Sequence, residues 1–382
     1  MSIAPEDILI CLEDHPARAP GAQPMATPIV QTSLFAYPDL DSFSEAAREE
    51  YRNTVYSRGQ NPTVEVLERK LAVLERGEAC KCFGSGMAAM SAVAMGLLKS
   101  GDHILFVNQT YGPMLQFANH IRRFGIEHTV LLDLEPTDVA QAMRPNTKLV
   151  WLENPGTMLM RTFDIAAVAA IAREGGALTC IDNSWATPLF QKPITHGVDI
   201  VVHSATKYIG GHSDVVAGAV ITTDERMKEI FYRAYMLNGG ILAPFDAWLL
   251  LRGMRTLPVR MRQHEADALR VAEYLRGRPE VREVFHPAFS PPSSALTGYS
   301  GLFSFELVDG QFENVRRFID RLKRFRIGVS WGGVESLVIA PNRGHNLAYL
   351  NAHRIPHGLV RLSIGLEGSD VLTEDLASAL SD

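Results

Sequence analysis

Leu178-Thr179-Cys180-Ile181-Asp182-Asn183 is followed, after a loop, by Asp199-Ile200-Val201-Val202-His203-Ser204, and the second run continues into Ala205-Thr206-Lys207-Tyr208-Ile209-Gly210-Gly211. Each run is short, apolar and ends on polar residues, the pattern of a strand buried on both faces of a sheet. Similar runs at 103–108, 128–132, 148–153 and 216–222 are interleaved with helical patterns such as 114–124 and 165–173. Strands alternating with helices predict an α/β fold in which a mostly parallel sheet is covered on both faces. In such folds ligands sit at the carboxyl ends of strands, which is where Asp182 and Ser204 fall.

Lys207, just beyond the second run, is the residue with the most specific chemistry. A lysine amine condenses with an aldehyde only as the neutral base, so a Schiff-base lysine needs surroundings that lower its pKa. A pyridinium nitrogen needs a carboxylate such as Asp182 to stay protonated, and pyridoxal 5'-phosphate uses both groups. Ser204 and Thr206 place two hydroxyls beside Lys207, both able to donate to one phosphate. Gly84-Ser85-Gly86-Met87-Ala88-Ala89-Met90 opens an apolar helix whose free N–H groups and dipole also favour a phosphate. That stretch matches the G-x-G-x-x-A dinucleotide fingerprint as well, but the candidate ribose acid, Asp102, precedes the next strand instead of following it. A nucleotide-dependent oxidoreductase would also leave Lys207 and Asp182 without a role.

The chain has 382 residues, 46% of them hydrophobic, enough for one large domain and a smaller one. Its 37 basic and 43 acidic residues give a net charge of −6, and no Lys/Arg block tracks a nucleic-acid backbone, so nucleic acid is not an expected partner. Cys11, Cys80, Cys82 and Cys180 form neither a disulfide ladder nor a paired metal site and read as free thiols. No basic-then-apolar leader and no run of ~18 apolar residues is present, so a cytoplasmic protein without a membrane partner is expected. His212 and Asp214 have a spacing that metal ligands can have, but with no third ligand they read as loop-structuring, and no metal is expected.

Residues 1–60 carry Pro, Gly and charge with short apolar stretches, an arm suited to reaching a neighbouring subunit. A helical period from Val64 to Arg76 stops at Gly77 and begins the α/β domain, 61–245. The remainder, 246–382, opens on a long helical stretch with Pro258 as a kink or interruption. It continues through strand-like 302–307, amphipathic 312–325, strand-like 337–340 and 359–364 and helical 372–380, and reads as a smaller α+β domain.

These features converge on a family. The chain resembles the Cys/Met-metabolism group of pyridoxal phosphate enzymes over nearly its whole length. The resemblance rests on Tyr56-Ser57-Arg58 with Asn61-Pro62-Thr63, Gly84-Ser85-Gly86-Met87, the tyrosine of Asn108-Gln109-Thr110-Tyr111-Gly112, Ile181-Asp182-Asn183, Ser204-Ala205-Thr206-Lys207-Tyr208, and Val360-Arg361-Leu362-Ser363-Ile364-Gly365-Leu366-Glu367. It implies an aminotransferase-like large domain of fold type I. Lys207 would hold the cofactor and move the substrate α-proton, and Asp182 would pair with the pyridine nitrogen. Tyr111 would stack on the ring and exchange protons; as a base it would need cationic neighbours to lower its pKa. Gly86, Met87, Ser204 and Thr206 would bind the phosphate, with Tyr56 and Arg58 supplied by the neighbouring subunit. Arg361 would clamp the substrate α-carboxylate with Ser330 close by. A homo-oligomer follows, a tetramer built from dimers that share active sites, acting on a small amino acid.

The same resemblance implies the reaction. Ser330-Trp331-Gly332-Gly333-Val334-Glu335-Ser336-Leu337, Gly301 to Leu307, and Glu153-Asn154-Pro155-Gly156-Thr157 are most similar to bacterial cystathionine β-lyases. Trp331 is the distinguishing residue, and Thr157 belongs to the same pattern. Val329 points to methionine γ-lyases, and the stretch 286–301, with Pro291-Pro292 inside it, is shorter than in typical β-lyases. The expected reaction is β-elimination of L-cystathionine to homocysteine, pyruvate and ammonia. The alternative is γ-elimination or γ-replacement on methionine, an O-acylhomoserine or another γ-substituted amino acid. A pyridoxal-enzyme fold serving only as a binding module is disfavoured because Lys207, Asp182, Tyr111 and Arg361 are all retained.

Overall fold

The computed structural model describes residues 3–14, 24–290 and 295–381; the Pro291-Pro292 pair lies outside them. Its strands are β1 (Ala79–Phe83), β2 (His103–Val107), β3 (Glu127–Leu131), β4 (Thr147–Glu153), β5 (Leu178–Asp182), β6 (Ile200–His203), β7 (Gly218–Thr222), β8 (Val281–Phe285), β9 (Leu302–Leu307), β10 (Arg326–Ile327), β11 (Leu337–Ile339) and β12 (Leu359–Ser363). The first seven form one sheet in the order β1-β7-β6-β5-β4-β2-β3. From β6 through β3 every neighbour is parallel, and β7 runs antiparallel to both of its neighbours.

Two apolar layers cover this sheet because alternate residues of each strand point to opposite faces. Leu105, Val107, Val150 and Leu152 enter one layer, with helices Pro62–Glu75 and Ile165–Glu174. Ile104, Phe106, Leu149 and Trp151 enter the other, with helices Gly86–Leu97 and Gly112–Ile121. Burial on both faces explains why these strands read as continuous apolar runs. The parallel connections bring the carboxyl ends of β4, β5 and β6 side by side, with Glu153 paired to Asp182 and Asp182 to Val202.

A second sheet, in the order β10-β11-β12-β9-β8, carries its own core of Phe303, Phe305, Val360, Leu362, Phe318 and Leu376. Helix Pro244–Arg276 links the two cores: Leu250 and Met254 pack in the first and Val271 and Leu275 in the last. Its 33 residues run through Pro258, so of the kink or interruption expected there the interruption is absent. The missing Pro258 N–H removes one helical hydrogen bond, and the fully buried Leu257 and Met261 on either side hold the helix together. The expected helix 312–325 is shorter, Phe312–Arg321, because the Asp375 carboxylate accepts the N–H groups of Lys323, Arg324 and Phe325 and draws the chain into a turn.

Part of the N-terminal segment folds onto its own chain. Helix Pro5–Leu12 packs beside helices Pro62–Glu75 and Pro244–Arg276. Its buried Asp7 pairs with Lys192 at 2.9 Å and Arg76 at 3.1 Å, and Asp14 meets Lys70 at 2.8 Å. Among the described residues no helix is long and apolar enough to cross a membrane.

Candidate active site

A cavity of about 200 Å³ opens at the carboxyl ends of β4, β5 and β6. Asp182 and Glu153, the last residues of β5 and β4, enter it from the sheet, and Ser204, Thr206 and Lys207 enter from the turn after β6. Gly86, Met87, Tyr111, Thr157 and Trp331 complete the wall. The fold thus gathers segments more than a hundred residues apart around one amine.

Lys207 Nζ donates to Ser330 Oγ at 2.5 Å and lies 5.1 Å from the centre of the Trp331 ring. Burial, then the positive charge of Arg361, lowers its pKa from 10.5 to about 8, against the pull of Asp182. This is the shift that a Schiff-base amine needs. Gly332 allows the segment bearing Ser330 and Trp331 to press on the lysine. It has φ +85°, and a Cβ there would stand 2.9 Å from the Tyr208 nitrogen and 3.1 Å from the Lys207 carbonyl carbon. Behind Trp331 stands the buried Tyr208 ring, 5.4 Å away.

Asp182 is buried, and its hydrogen bonds within the chain are to Ser184, whose N–H donates to Oδ1 at 3.0 Å. Burial raises its pKa, while the Ser184 bonds and the nearby His203 and Lys207 favour the charged form. Ser184 also accepts the Ser204 N–H at 2.6 Å, so it ties the two strand ends together on the cavity side. Glu153 accepts the Tyr111 N–H at 2.7 Å. Burial, then the Asp182 charge, pushes its carboxyl well above the usual range.

Tyr111 stands at the start of helix Gly112–Ile121. Burial and then Asp182 raise its pKa, outweighing Arg361. The condition for Tyr111 to act as a base, cationic neighbours that lower its pKa, is therefore not met within the chain, which favours the protonated phenol. Arg361, on β12, lies within electrostatic reach of Tyr111, Glu153 and Lys207. Burial lowers its pKa, and among the described residues its guanidinium has neither a hydrogen bond nor an ion pair. A free, desolvated guanidinium is suited to a bidentate carboxylate.

The phosphate candidates are less uniform. Ser85 caps helix Gly86–Leu97 by accepting from the Ala88 N–H, which leaves the Gly86 and Met87 N–H groups without an acceptor among the described residues. Ser204 stands beside them, and a Cβ on Gly86 would come within 3.0 Å of its side chain. The Thr206 hydroxyl differs from expectation, because it is engaged by the Ala217 backbone, donating to O at 3.1 Å and accepting from N at 2.9 Å.

Of the expected residues, Ser330 and Arg361 act on Lys207 without forming part of the cavity wall, and three others stand apart from the cavity. Val329 is 77% exposed and forms no part of the wall. Tyr56 and Arg58 are exposed, with the guanidinium 5.6 Å from the tyrosine ring. His212 donates from Nδ1 to the Gly210 carbonyl at 2.7 Å, and Glu335 accepts from the Ser213 hydroxyl. Both are loop contacts, and no cluster among the described residues could hold a metal ion. Ser184 and Glu153 were not named as site residues from sequence. Glu153 had a usable signal, since it ends a strand next to Asp182.

The residues present fit pyridoxal 5'-phosphate. The Asp182 carboxylate faces the cavity and, among the described residues, is bonded only by Ser184, helix N–H groups stand without an acceptor beside Ser204, and an amine with a lowered pKa lies in the same space. The family model for Cys/Met metabolism PLP-dependent enzymes matches residues 11–381. Cystathionine gamma-lyase of Bacillus subtilis (strain 168) is 38% identical over 369 residues, 94% of each chain. Cystathionine beta-lyase MetC of the same organism is 37% identical over 352 residues, 89% of this chain and 90% of that one. The crystal structure of cystathionine gamma synthase from Xanthomonas oryzae pv. oryzae in complex with cystathionine superposes with a TM-score of 0.90 at 34% identity, over 98% of this chain and 97% of that one. The sequence match over almost the whole chain and a cavity suited to the cofactor together identify a member of the Cys/Met metabolism PLP-dependent enzyme family.

Proposed function

We propose that the chain is a carbon–sulfur lyase that cleaves L-cystathionine by β-elimination to homocysteine, pyruvate and ammonia. When bound, pyridoxal phosphate supplies the electron sink for negative charge at the substrate α-carbon. Lys207, once free, takes the α-proton, for which an amine with a pKa of about 8 is suited near neutral pH. Arg361 clamps the α-carboxylate and Ser330 steadies the amine. Tyr111, a phenol that retains its proton, donates it to the departing sulfur. Ser204 and the Gly86 and Met87 N–H groups hold the phosphate, with Thr206 beside them.

The observation that carries the β reading is the position of Trp331 against Lys207, with the lysine nitrogen 2.5 Å from the Ser330 hydroxyl and 5.1 Å from the centre of the indole. β-Elimination asks the amine for one proton at Cα, whereas γ-elimination also requires proton removal at Cβ. The indole, backed by Tyr208, limits travel of the amine on that side. A second reading, γ-elimination or γ-replacement, is favoured by Val329, whose apolar side chain offers no charge to the second amino-acid head of cystathionine. Keto-acid identification with L-cystathionine separates them: pyruvate supports the first reading, and 2-oxobutanoate as the main product refutes it.

Tyr56 and Arg58 complete the phosphate site of a neighbouring subunit in this proposal, within a tetramer built from dimers. Mixing the inactive variants Lys207→Ala and Arg58→Ala tests it. Recovered activity in the mixed oligomer supports the shared site, and its absence counts against sharing.

A further inference from the structure

On the three strands that bear the cavity acids and the serine, a cavity residue is adjacent in sequence to a buried polar one: Glu153 with Asn154, Asp182 with Asn183, and Ser204 with His203. Neighbouring residues in extended chain point to opposite sides. The second member of each pair is therefore free to turn away from the cavity, and the three are joined behind it. Glu75, the fully buried last residue of helix Pro62–Glu75, accepts from Asn183 Nδ2 at 2.7 Å and bonds His203 Nε2 at 2.5 Å. Gln191 donates to Asn183 Oδ1 and to the Asn154 carbonyl, each at 2.9 Å, and accepts from Asn154 Nδ2 at 3.3 Å.

The ladder between β5 and β6 ends at Asp182 with Val202, so strand pairing sets the side on which Asp182 lies but does not reach Ser204. We infer that the buried network anchored on Glu75 positions Asp182 and Ser204 for the cofactor, with Glu75, His203, Asn183 and Gln191 as positioning residues. Ser184 performs the corresponding tie on the cavity side, between Asp182 and Ser204. The network is not an economical way to fill a core. Among the described residues Glu75 Oε2 and His203 Nδ1 are buried without a hydrogen-bond partner, an arrangement that lowers stability relative to apolar packing. What it supplies instead is a fixed direction at three strand ends. The inference rests on the cofactor occupying this cavity and is independent of which carbon–sulfur bond is cleaved.

Glu75→Gln tests it, since the amide keeps the size of the side chain but sets a donor against Asn183 or His203. In the purified holoenzyme, cofactor release on dialysis should quicken about tenfold, as expected for loss of a charge-assisted hydrogen bond. The pH midpoint of the cofactor's visible absorption band should also rise, because weaker electron withdrawal by the ring leaves the Lys207 nitrogen more basic. Asp375→Asn is the control: it removes a buried carboxylate that accepts backbone N–H groups in the second sheet's layer, and should lower Tm while leaving release and the band unchanged. A Glu75→Gln holoenzyme with lowered Tm but parental release and midpoint overturns the inference, as does an equal effect from Asp375→Asn. Should Glu75→Gln fail to fold, Gln191→Met cuts the link from Asn183 to Asn154 and leaves both Glu75 bonds intact. Release about threefold faster is then expected, the size of a neutral hydrogen bond, and an unchanged rate overturns the inference.

Discussion

Arg361→Gln should slow capture of pyridoxal phosphate by the cofactor-free protein, because the guanidinium helps keep the Lys207 amine neutral. With a pKa of about 8, about one amine in ten is neutral at pH 7, whereas at the ordinary 10.5 the fraction is about one in three thousand. The whole shift is therefore worth about 300-fold in reactive amine at pH 7. Burial is its larger cause and survives the substitution, so the expected loss is smaller, about three- to tenfold at pH 7. The sign is fixed: removing a neighbouring cation lets the amine hold its proton to higher pH, so the midpoint of the capture-rate profile moves upward from about 8. Rates of parent and variant should converge in strongly alkaline solution, where both amines are neutral. The assay is stopped-flow absorbance of cofactor capture across pH. A variant midpoint equal to or below that of the parent would refute the electrostatic coupling between β12 and Lys207.

Asp182→Asn keeps the shape of the strand end but removes the negative charge, and turnover of the holoenzyme should fall by about 10²–10³, with altered cofactor absorption measured beside it. Gly332→Ala must place a Cβ 2.9 Å from the Tyr208 nitrogen at φ +85°, so a destabilisation of about 1–3 kcal/mol is expected in denaturant titration. His286 is buried among Phe289, Tyr299 and Phe303, and burial lowers its pKa from 6.5 to about 4. The unfolded chain takes up this proton near pH 6.5 while the folded chain resists until about 4, so stability is lost as pH falls through that window. Between pH 7 and 5 the loss from this ring is about 2 kcal/mol, and His286→Phe should flatten the acid limb of urea titrations by that amount.

Much of the site was legible in the sequence because its chemistry is local. Lys207 with Ser204 and Thr206, Asp182 at a strand end, and the small-residue start of helix Gly86–Leu97 each depend on residue type and short spacing. The α/β architecture was legible for a similar reason, since strands buried on both faces must be apolar throughout, as Leu149, Val150, Trp151 and Leu152 are. Periodicity overreached where a distant group intervened. Helix Phe312–Arg321 ends early because Asp375, some fifty residues on, takes the N–H groups that would have continued it.

What only the tertiary structure decided was which groups share an environment. Nothing in the local sequence around Arg361 reveals that its guanidinium is half-buried near Lys207 and, among the described residues, unpaired, nor that burial and Asp182 together raise the pKa of the Tyr111 phenol. Thr206 was named for a phosphate by its hydroxyl, yet the fold turns that hydroxyl to Ala217. Glu75, a carboxylate at a helix end, is the anchor of Asn183 and His203 because the fold brings these strand ends over that helix terminus. The sequence by itself determined the reactive groups, because chemistry belongs to residue type. Their protonation and direction came from desolvation and from partners on other segments, some as distant as Arg361 from Lys207, which depend on distances that only the folded chain sets.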